Sequence, residues 1–438
     1  MEMEYWALVM FAVAILMLML GFPVAFTLGA VAMAFGGYFL GWQEFELLPM
    51  RVWGVMTNFS LLAVPLFVFM GVMLERSGLA EELLETVARL FGRLRGGLAI
   101  SIVVVGAVLA ATTGVVGATV VAMGVIALPV MLKRGYNKGL ATGTIAASGT
   151  LGQIIPPSII LILLSDVMGV AAGELFTAAV VPGLLLVLAF IIYILVIAYL
   201  RPELAPAITM NIEEHSPGLA GKVIKSLLPP MVLIFAVLGS IFFGIASPTE
   251  SAAVGALGAM ILAALNGRMS LNNVRDSARH TARLTSMVFI ILIGATAFGL
   301  VFRSMGGDLV VEDIMLALPG GEWGFLAASM LLIFVLGFFL DFLEICFIVV
   351  PILTPIASML DINMVWFAIL IAMNLQTSFL TPPFGFSLFY LKAVAPPEIR
   401  IQHIYRGVIP FIIIQLVVLG LLMLFPDIVQ WLPSLMAE

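Results

Sequence analysis

ATGTIAASGTLGQIIPPSIILILL, residues 141–164, decides how the rest of the chain is read. The stretch is apolar and long enough to cross a bilayer, which takes about 20 residues of helix. Yet Gly143, Gly149, Gly152, Pro156 and Pro157 run through its middle, where a lipid-facing helix carries residues that neither loosen the backbone nor remove an N–H. An unpaired amide or carbonyl is costly in hydrocarbon, so a helix breaks at that depth only where protein packs around it or a polar cavity meets it. Ser148, Thr150, Gln153 and Ser158 cluster at the break. We read a broken membrane helix over 139–164 and, at its break, a candidate binding element.

The surrounding chain has 438 residues, 63% hydrophobic and 10% charged, with a mean hydropathy of +1.22. That balance excludes a soluble globular domain and describes a polytopic membrane protein, with length for roughly ten to twelve membrane segments. The net charge of −6 says little, because charge in such a protein informs by position. Cys346 is the lone cysteine, so neither an internal disulfide nor a cysteine-based metal cluster is expected. His215, His280 and His403 sit in separate polar segments without ligand spacing. There is no Gly-x-x-x-x-Gly-Lys-Ser/Thr phosphate loop, so energy for transport has to come from an ion gradient or another chain. With no Ser-His-Asp or His-x-x-x-His pattern either, the chain reads as a non-enzyme with no organic cofactor and no nucleic-acid partner. The first hydrophobic run, 5–20, follows Glu2 and Glu4 instead of a basic segment, and is expected to remain as a first helix.

Ordinary spans are expected at 5–20, 23–40 and 52–74. Residues 75–97 follow, with Leu79, Leu83, Leu84, Val87, Leu90, Phe91 and Leu94 at helical spacing against Glu and Arg, the pattern of an arm lying along the membrane surface. Segment 98–132 is apolar, but AATTGVVGAT occupies 110–119 and both flanks are basic. A plain spanning helix is the alternative; flanks of one sign favour a re-entrant hairpin turning at Thr112 to Thr119. A span at 174–200 and a polar loop over 201–225 come next.

The pattern then repeats. GIASPTESAAVGALGA from Gly244 resembles GFPVAFTLGAVAMA from Gly21, Arg303-Ser304 ends a span as Arg76-Ser77 does, and Gly320-Gly321 precedes a long apolar segment as Gly96-Gly97 does. That segment, 325–357, has LDFLEI at its centre and ends in ILTPI, as the earlier one ends in IALPV; Thr381-Pro382-Pro383 then echoes Ile155-Pro156-Pro157. The order of landmarks predicts an internal repeat of about 200 residues. Repeat one covers 1–200, with the arm at 75–97, the hairpin at 98–132 and the broken helix at 139–164. A cytoplasmic linker spans 201–225. Repeat two covers 226–438, with an arm at 303–321, a hairpin at 325–357, a broken helix at 364–391 and a last helix at 407–426. Segments 75–97, 133–138, 201–225, 267–283 and 392–406 hold 17 of the 19 basic residues, leaving Arg51 and Arg303. Placing those five segments in the cytoplasm makes both hairpins re-entrant from opposite sides, inverts the repeats and puts both termini outside. Most acids then fall on the outer side, where a soluble partner could dock.

Inverted repeats with a hairpin and a broken helix each form a known plan for secondary transporters. Thr112, Thr113, Gly114 and Thr119 pair with Ser148, Gly149, Thr150 and Gly152; Asp341 and Glu344 pair with Asn374, Gln376, Thr377, Ser378 and Thr381. Exposed carbonyls suit a hard monovalent cation, and half-helix N-termini with hydroxyls suit a carboxylate. Each pair is expected to hold a sodium ion, with an anion between them against Thr112, Thr150, Pro156, Pro157, Ser158, Ser378, Pro382 and Pro383. Close helix packing is the plainer reading of the small residues, but it does not explain prolines at matching points. Asp341 is a functional candidate as an intramembrane acid. Glu344 is either another or a water-facing residue at the hairpin mouth. Glu250, in Ser247-Pro248-Thr249-Glu250, reads more simply as a helix start.

ASGTLGQIIPPS (147–158), Leu340-Asp341 with LTPI (353–356), NLQTSFLTPPFG (374–385) and SPTESAAVG (247–255) together resemble the large membrane subunit of tripartite ATP-independent periplasmic (TRAP) transporters. The resemblance covers nearly the whole chain. It implies an all-α, elevator-type fold in a bacterial inner membrane and sodium-driven uptake of an organic acid. It also implies two partners, a small four-helix membrane subunit and a periplasmic substrate-binding protein on the outer face. By motif, one sodium site takes Thr113, Gly114, Ser148, Gly149 and Gly152, and the other Gly337, Asp341, Gln376, Thr377 and Thr381. Thr113-Gly114-Val115-Val116 replaces the Ser-Gly-Ser-Ser tip of some members, and Leu340-Asp341-Phe342-Leu343 a Leu-Asp-Pro-Thr, which leaves backbone but not side-chain ligands at Val115, Val116 and Leu343. A self-sufficient sodium or proton symporter of dicarboxylates is the runner-up; an ion channel or membrane scaffold is a third reading.

Overall fold

The computed structural model describes residues 3–91, 94–114, 116–207, 219–383 and 385–437. All regular structure among them is helical, as a chain must be when lipid leaves its backbone no outside partner. Six described helices are long and apolar enough to cross a membrane, a seventh if one bent pair is counted, and seven further apolar helices have 10–17 residues. The membrane segments therefore comprise full-length helices and shorter ones, some of them halves of interrupted spans.

The run 52–74 is one such correction. Helices Trp42–Met56 and Ser60–Arg76 meet at 55°, because the Asn58 carboxamide oxygen accepts from the Ser60 N–H at 2.9 Å and starts the chain on a new turn. The last helix is another: it begins at Ile401, not 407, since polar His403, Tyr405 and Arg406 continue the helix outside the apolar span. Helix Leu219–Phe242 likewise starts inside the expected linker; His215 lies outside the described residues. The second arm is a helix over Gly307–Leu316, and a terminal helix Asp427–Ala437 packs on helix Ala172–Leu200.

The first hairpin consists of helices Gly97–Thr113 and Val116–Lys133. Its ends meet: the Leu98 N–H donates to the Tyr136 hydroxyl at 3.3 Å, so the chain returns to the face it left. The first broken helix is Lys138–Thr150 with the turn Leu151–Gln153, then Ile159–Met168. The second hairpin is Glu322–Leu336 and Phe342–Met359; the second broken helix is Met364–Leu380 and Phe386–Val394. Both Pro156-Pro157 and Pro382-Pro383 peptide bonds are cis.

The described parts of the basic segments share one face. Arg76 pairs with Asp276 at 3.5 Å and Lys138 with Glu398 at 3.8 Å, while Gly96 and Asn137 donate backbone N–H groups to Ala205 and Leu204, each at 3.0 Å. At the opposite face Ser304 donates to Glu44 at 2.5 Å and Thr249 to the Phe59 carbonyl at 2.9 Å. Helix Leu271–Ser304 joins the two: its 34 residues extend about 51 Å at 1.5 Å per residue. The amphipathic arm, helix Leu79–Phe91, does not lie free on a membrane surface. Leu79, Leu83, Leu84 and Val87 are buried, with Ser101 of the hairpin bonding the Val87 carbonyl and Ser226 of helix Leu219–Phe242 bonding Glu82; Leu90 and Leu94 stay exposed.

Candidate functional site

Gly114 makes the first hairpin tip. It takes a left-handed conformation, φ 60°, that ends helix Gly97–Thr113, a geometry that disfavours a side chain. A methyl group on it would stand 3.5 Å from both the Pro157 carbonyl oxygen and the Ile159 nitrogen, so the tip seats directly on the break of the first broken helix. Gly152 lies 3.5 Å, measured the same way, from Ala110 in the last turn of the hairpin helix. Ser148 packs against Gly106, and Gly149 against Val120. Two helix C-termini, those of Gly97–Thr113 and of Lys138–Gln153, therefore end side by side. Their last carbonyls lack helical partners and carry the negative ends of both dipoles. The side chains of Thr113 and Val115 lie outside the described residues.

The second half of the molecule makes the same juxtaposition. Helix Glu322–Leu336 ends at Gly337, and a methyl there would fall 2.2 Å from the Ser378 hydroxyl in the last turn of helix Met364–Leu380. The Asn374 carboxamide ties the two helices by donating to the Met330 carbonyl at 2.6 Å. Thr377 and Thr381 donate to carbonyls four residues back, Met373 and Thr377, which leaves their oxygen lone pairs free to accept or to ligate a cation. Ser148 donates likewise to Thr144, four residues back, and Ser378 to Leu375, three residues back.

The halves interlock. The second arm of hairpin one packs on Phe386–Val394, where a methyl at Gly117 would meet the Tyr390 ring at 3.2 Å. The second arm of hairpin two packs on Ile159–Met168, and helix Met364–Leu380 crosses the Leu151–Gln153 turn. Helices Ile159–Met168 and Phe386–Val394 both start at the breaks without a side-chain cap, the orientation in which first-turn N–H groups face an anion, although the Leu388 N–H already donates to the Gly385 carbonyl at 3.0 Å.

Asp341 lies at the second tip but is engaged. It accepts from the Phe342 N–H at 2.7 Å, and Glu344 accepts from the Asp341 N–H at 2.9 Å, a capping box at the start of helix Phe342–Met359. Glu344 is 7% exposed, so it does not face water at a hairpin mouth. Glu250 forms a second capping box with Ser247 at an exposed helix start. Among the described residues no group of three or more His, Cys, Asp or Glu side chains converges to hold a metal.

Gly114 meets Pro157 at the first tip, with Gly152 against Ala110 a turn below it and Ser148 and Gly149 deeper, against Gly106 and Val120; Ser158 bonds the Gln153 carbonyl at the break, and Gly337 meets Ser378 at the other tip. Thr112 and Thr150 are buried and bond the Leu109 and Ala147 carbonyls. Gln415 was missed: buried in the last helix, it donates to the Thr150 hydroxyl at 3.4 Å. A lone glutamine in the apolar run FIIIQLVV was its signal. The amides of Gln153 and Gln376 are fully buried, and neither oxygen nor nitrogen of either has a partner among the described residues.

The chain is similar to solved and curated proteins along most of its length. It aligns structurally with the Alcanivorax borkumensis YdaH transporter, whose crystal structure is described as having an unusual topology, at TM-score 0.62 and 15% identity, covering 88% of this chain and 90% of that one. It is 31% identical to the C4-dicarboxylate TRAP transporter large permease protein of Pseudomonas aeruginosa over 88% of this chain and 89% of that protein. It is 29% identical to the sialic acid large permease of Vibrio cholerae over 96% of each, and 29% identical to the ectoine large permease of Halomonas elongata over 98% of this chain and 99% of that one. The family model described as "Tripartite ATP-independent periplasmic transporter, DctM component" matches residues 11–428. This chain belongs to that family of TRAP transporter large permeases.

Proposed function

We propose that this permease imports an organic acid with sodium across a bacterial inner membrane, receiving it from a periplasmic binding protein and working with a small four-helix subunit. The observation that carries this reading is the doubled juxtaposition: at each tip two helix C-termini end together, while an uncapped helix N-terminus starts beside the first tip and another at the second break. The first ends suit a sodium ion, the second a carboxylate. One ion is held by Thr113, Gly114, Ser148, Gly149 and Gly152, the other by Gly337, Asp341, Gln376, Thr377 and Thr381. The acid lies between them, near Thr112, Thr150, Pro156, Pro157, Ser158, Ser378, Pro382 and Pro383. The relatives' named cargoes, C4-dicarboxylates, sialic acid and ectoine, all bear a carboxylate and set the class to be tried.

In this reading the two repeats, 1–200 and 226–438 about the linker 201–225, are inverted, and both termini lie on the periplasmic side. The hairpins and broken helices move together as the elevator body. The test is uptake of succinate, N-acetylneuraminate or ectoine into proteoliposomes holding the chain, its small subunit and its binding protein. Uptake is expected to need an inward sodium gradient and to lose sodium dependence in Asp341→Asn. Undiminished uptake without sodium would overturn the coupling. Uptake by the isolated chain would favour a self-sufficient symporter, and non-saturable flux a channel.

A further inference from the structure

The two cations left outside the basic segments, Arg51 and Arg303, line one cavity of about 230 Å³. Their distance in sequence makes the convergence a product of the fold. Arg303 stands at the end of helix Leu271–Ser304, on the face opposite the basic segments. From it, Gly299, Thr296 and Leu292 descend along the same cavity. Positions spaced by three and four form one stripe of a helix, and the 11 steps from Leu292 to Arg303 cover about 16 Å at 1.5 Å each. The cavity is thus a cleft with Arg303 at the helix end and mostly apolar residues along the stripe below it. Its other wall is Asp166 and Val167, at the end of the first broken helix, with Phe347 and Pro351 of the second hairpin. Both elements lead back to the tips described above.

The cleft's charge is unbalanced. Neither arginine forms an ion pair or a side-chain hydrogen bond among the described residues. Asp166, the acid in the same wall, is bonded instead by the Asn58 carboxamide at 2.5 Å. A planar guanidinium with free donors is the side chain best matched to a carboxylate, and a low-dielectric cleft whose two guanidiniums outnumber its one carboxylate, itself bonded by Asn58, favours an anion.

We infer that this cleft is an approach site for the organic anion, where Arg51 and Arg303 hold a carboxylate before it passes between the second hairpin and the first broken helix. The inference rests on the carboxylate-importer reading and adds to it a stopping point and two residues. Gly299 offers a means of blocking it, because a methyl group added there meets nothing within 4 Å and leaves room for a larger side chain to grow into the cleft.

The experiment places a cysteine in the cleft, Thr296→Cys, in the full chain in lipid nanodiscs, with buried Cys346 as the background thiol. Labelling rates are measured with an anionic sulfonatoethyl and a cationic trimethylammonioethyl methanethiosulfonate. Adding Arg51→Gln and Arg303→Gln is expected to slow the anionic reagent and speed the cationic one, changing their ratio roughly five- to tenfold; a merely structural disturbance would move both rates the same way. Succinate should protect the thiol and neutral succinamide should not. Gly299→Phe should slow both reagents. An unchanged ratio in the double variant, or equal protection by succinate and succinamide, overturns the approach site. Failure of sodium-driven uptake alongside a charge-dependent, succinate-protected thiol would overturn the importer reading and leave the site standing.

Discussion

Gln153 and Gln376 show at single-residue scale how the site departs from a packed core. Each sits in a broken helix, wholly buried, with an amide that bonds nothing among the described residues. An unsatisfied buried polar group costs about 1–3 kcal/mol, and Met has nearly the same volume without the amide. Gln153→Met and Gln376→Met are therefore expected to raise thermal stability by about 1 kcal/mol each in sodium-free buffer, while lowering sodium-dependent stabilisation. Loss of stability in sodium-free buffer would mean that the amides already have protein partners. Gln376 was readable from the sequence as part of a polar cluster before a proline pair. Gln153 was visible at the other break, but nothing in the sequence distinguished a bonded amide from an orphaned one, because that depends on what crosses it.

At the scale of elements, glycines set how closely helices approach. A methyl on Gly143 would fall 2.1 Å from the Gly407 carbonyl oxygen, and one on Gly407 the same distance from the Gly139 carbonyl. Helices Lys138–Thr150 and Ile401–Leu424 are thus in backbone contact, as small residues permit in membranes. Gly143→Ala is expected to cost about 1–3 kcal/mol through overpacking, read as a lower melting temperature of the purified chain. Gly299→Ala, in the open cleft, is expected to leave it unchanged or raise it. An equal loss at both positions would refute the difference in packing. The glycines are plain in the sequence, but their partners lie more than 200 residues away. The 55° bend at 57–59 is a different case: polar Thr57, Asn58 and Ser60 mark it within the otherwise apolar run 52–74, but the bond that anchors Asn58 to Asp166 spans 108 positions.

Over the whole molecule, charge and contact agree on two faces. Asn272, beside the basic stretch of the long helix, and Thr57, at the bend near Arg51, are both exposed and lie at opposite ends. In right-side-out membrane vesicles, Thr57→Cys is expected to react with a membrane-impermeant maleimide, and Asn272→Cys only after permeabilisation. The reverse pattern would invert the proposed orientation. By itself the sequence determined that the chain is a helical membrane protein, where its two proline-paired helices break, and which segments share a face. It could do so because hydropathy, Gly and Pro, and charge act locally on a chain in lipid. Tertiary structure alone decided that two helix C-termini end together at each hairpin tip, that Asp341 and Glu344 cap a helix, and that Arg51 and Arg303 meet at one cleft. These depend on the packing of elements far apart in the chain, where distance and direction, not residue type, decide which groups are left to bind.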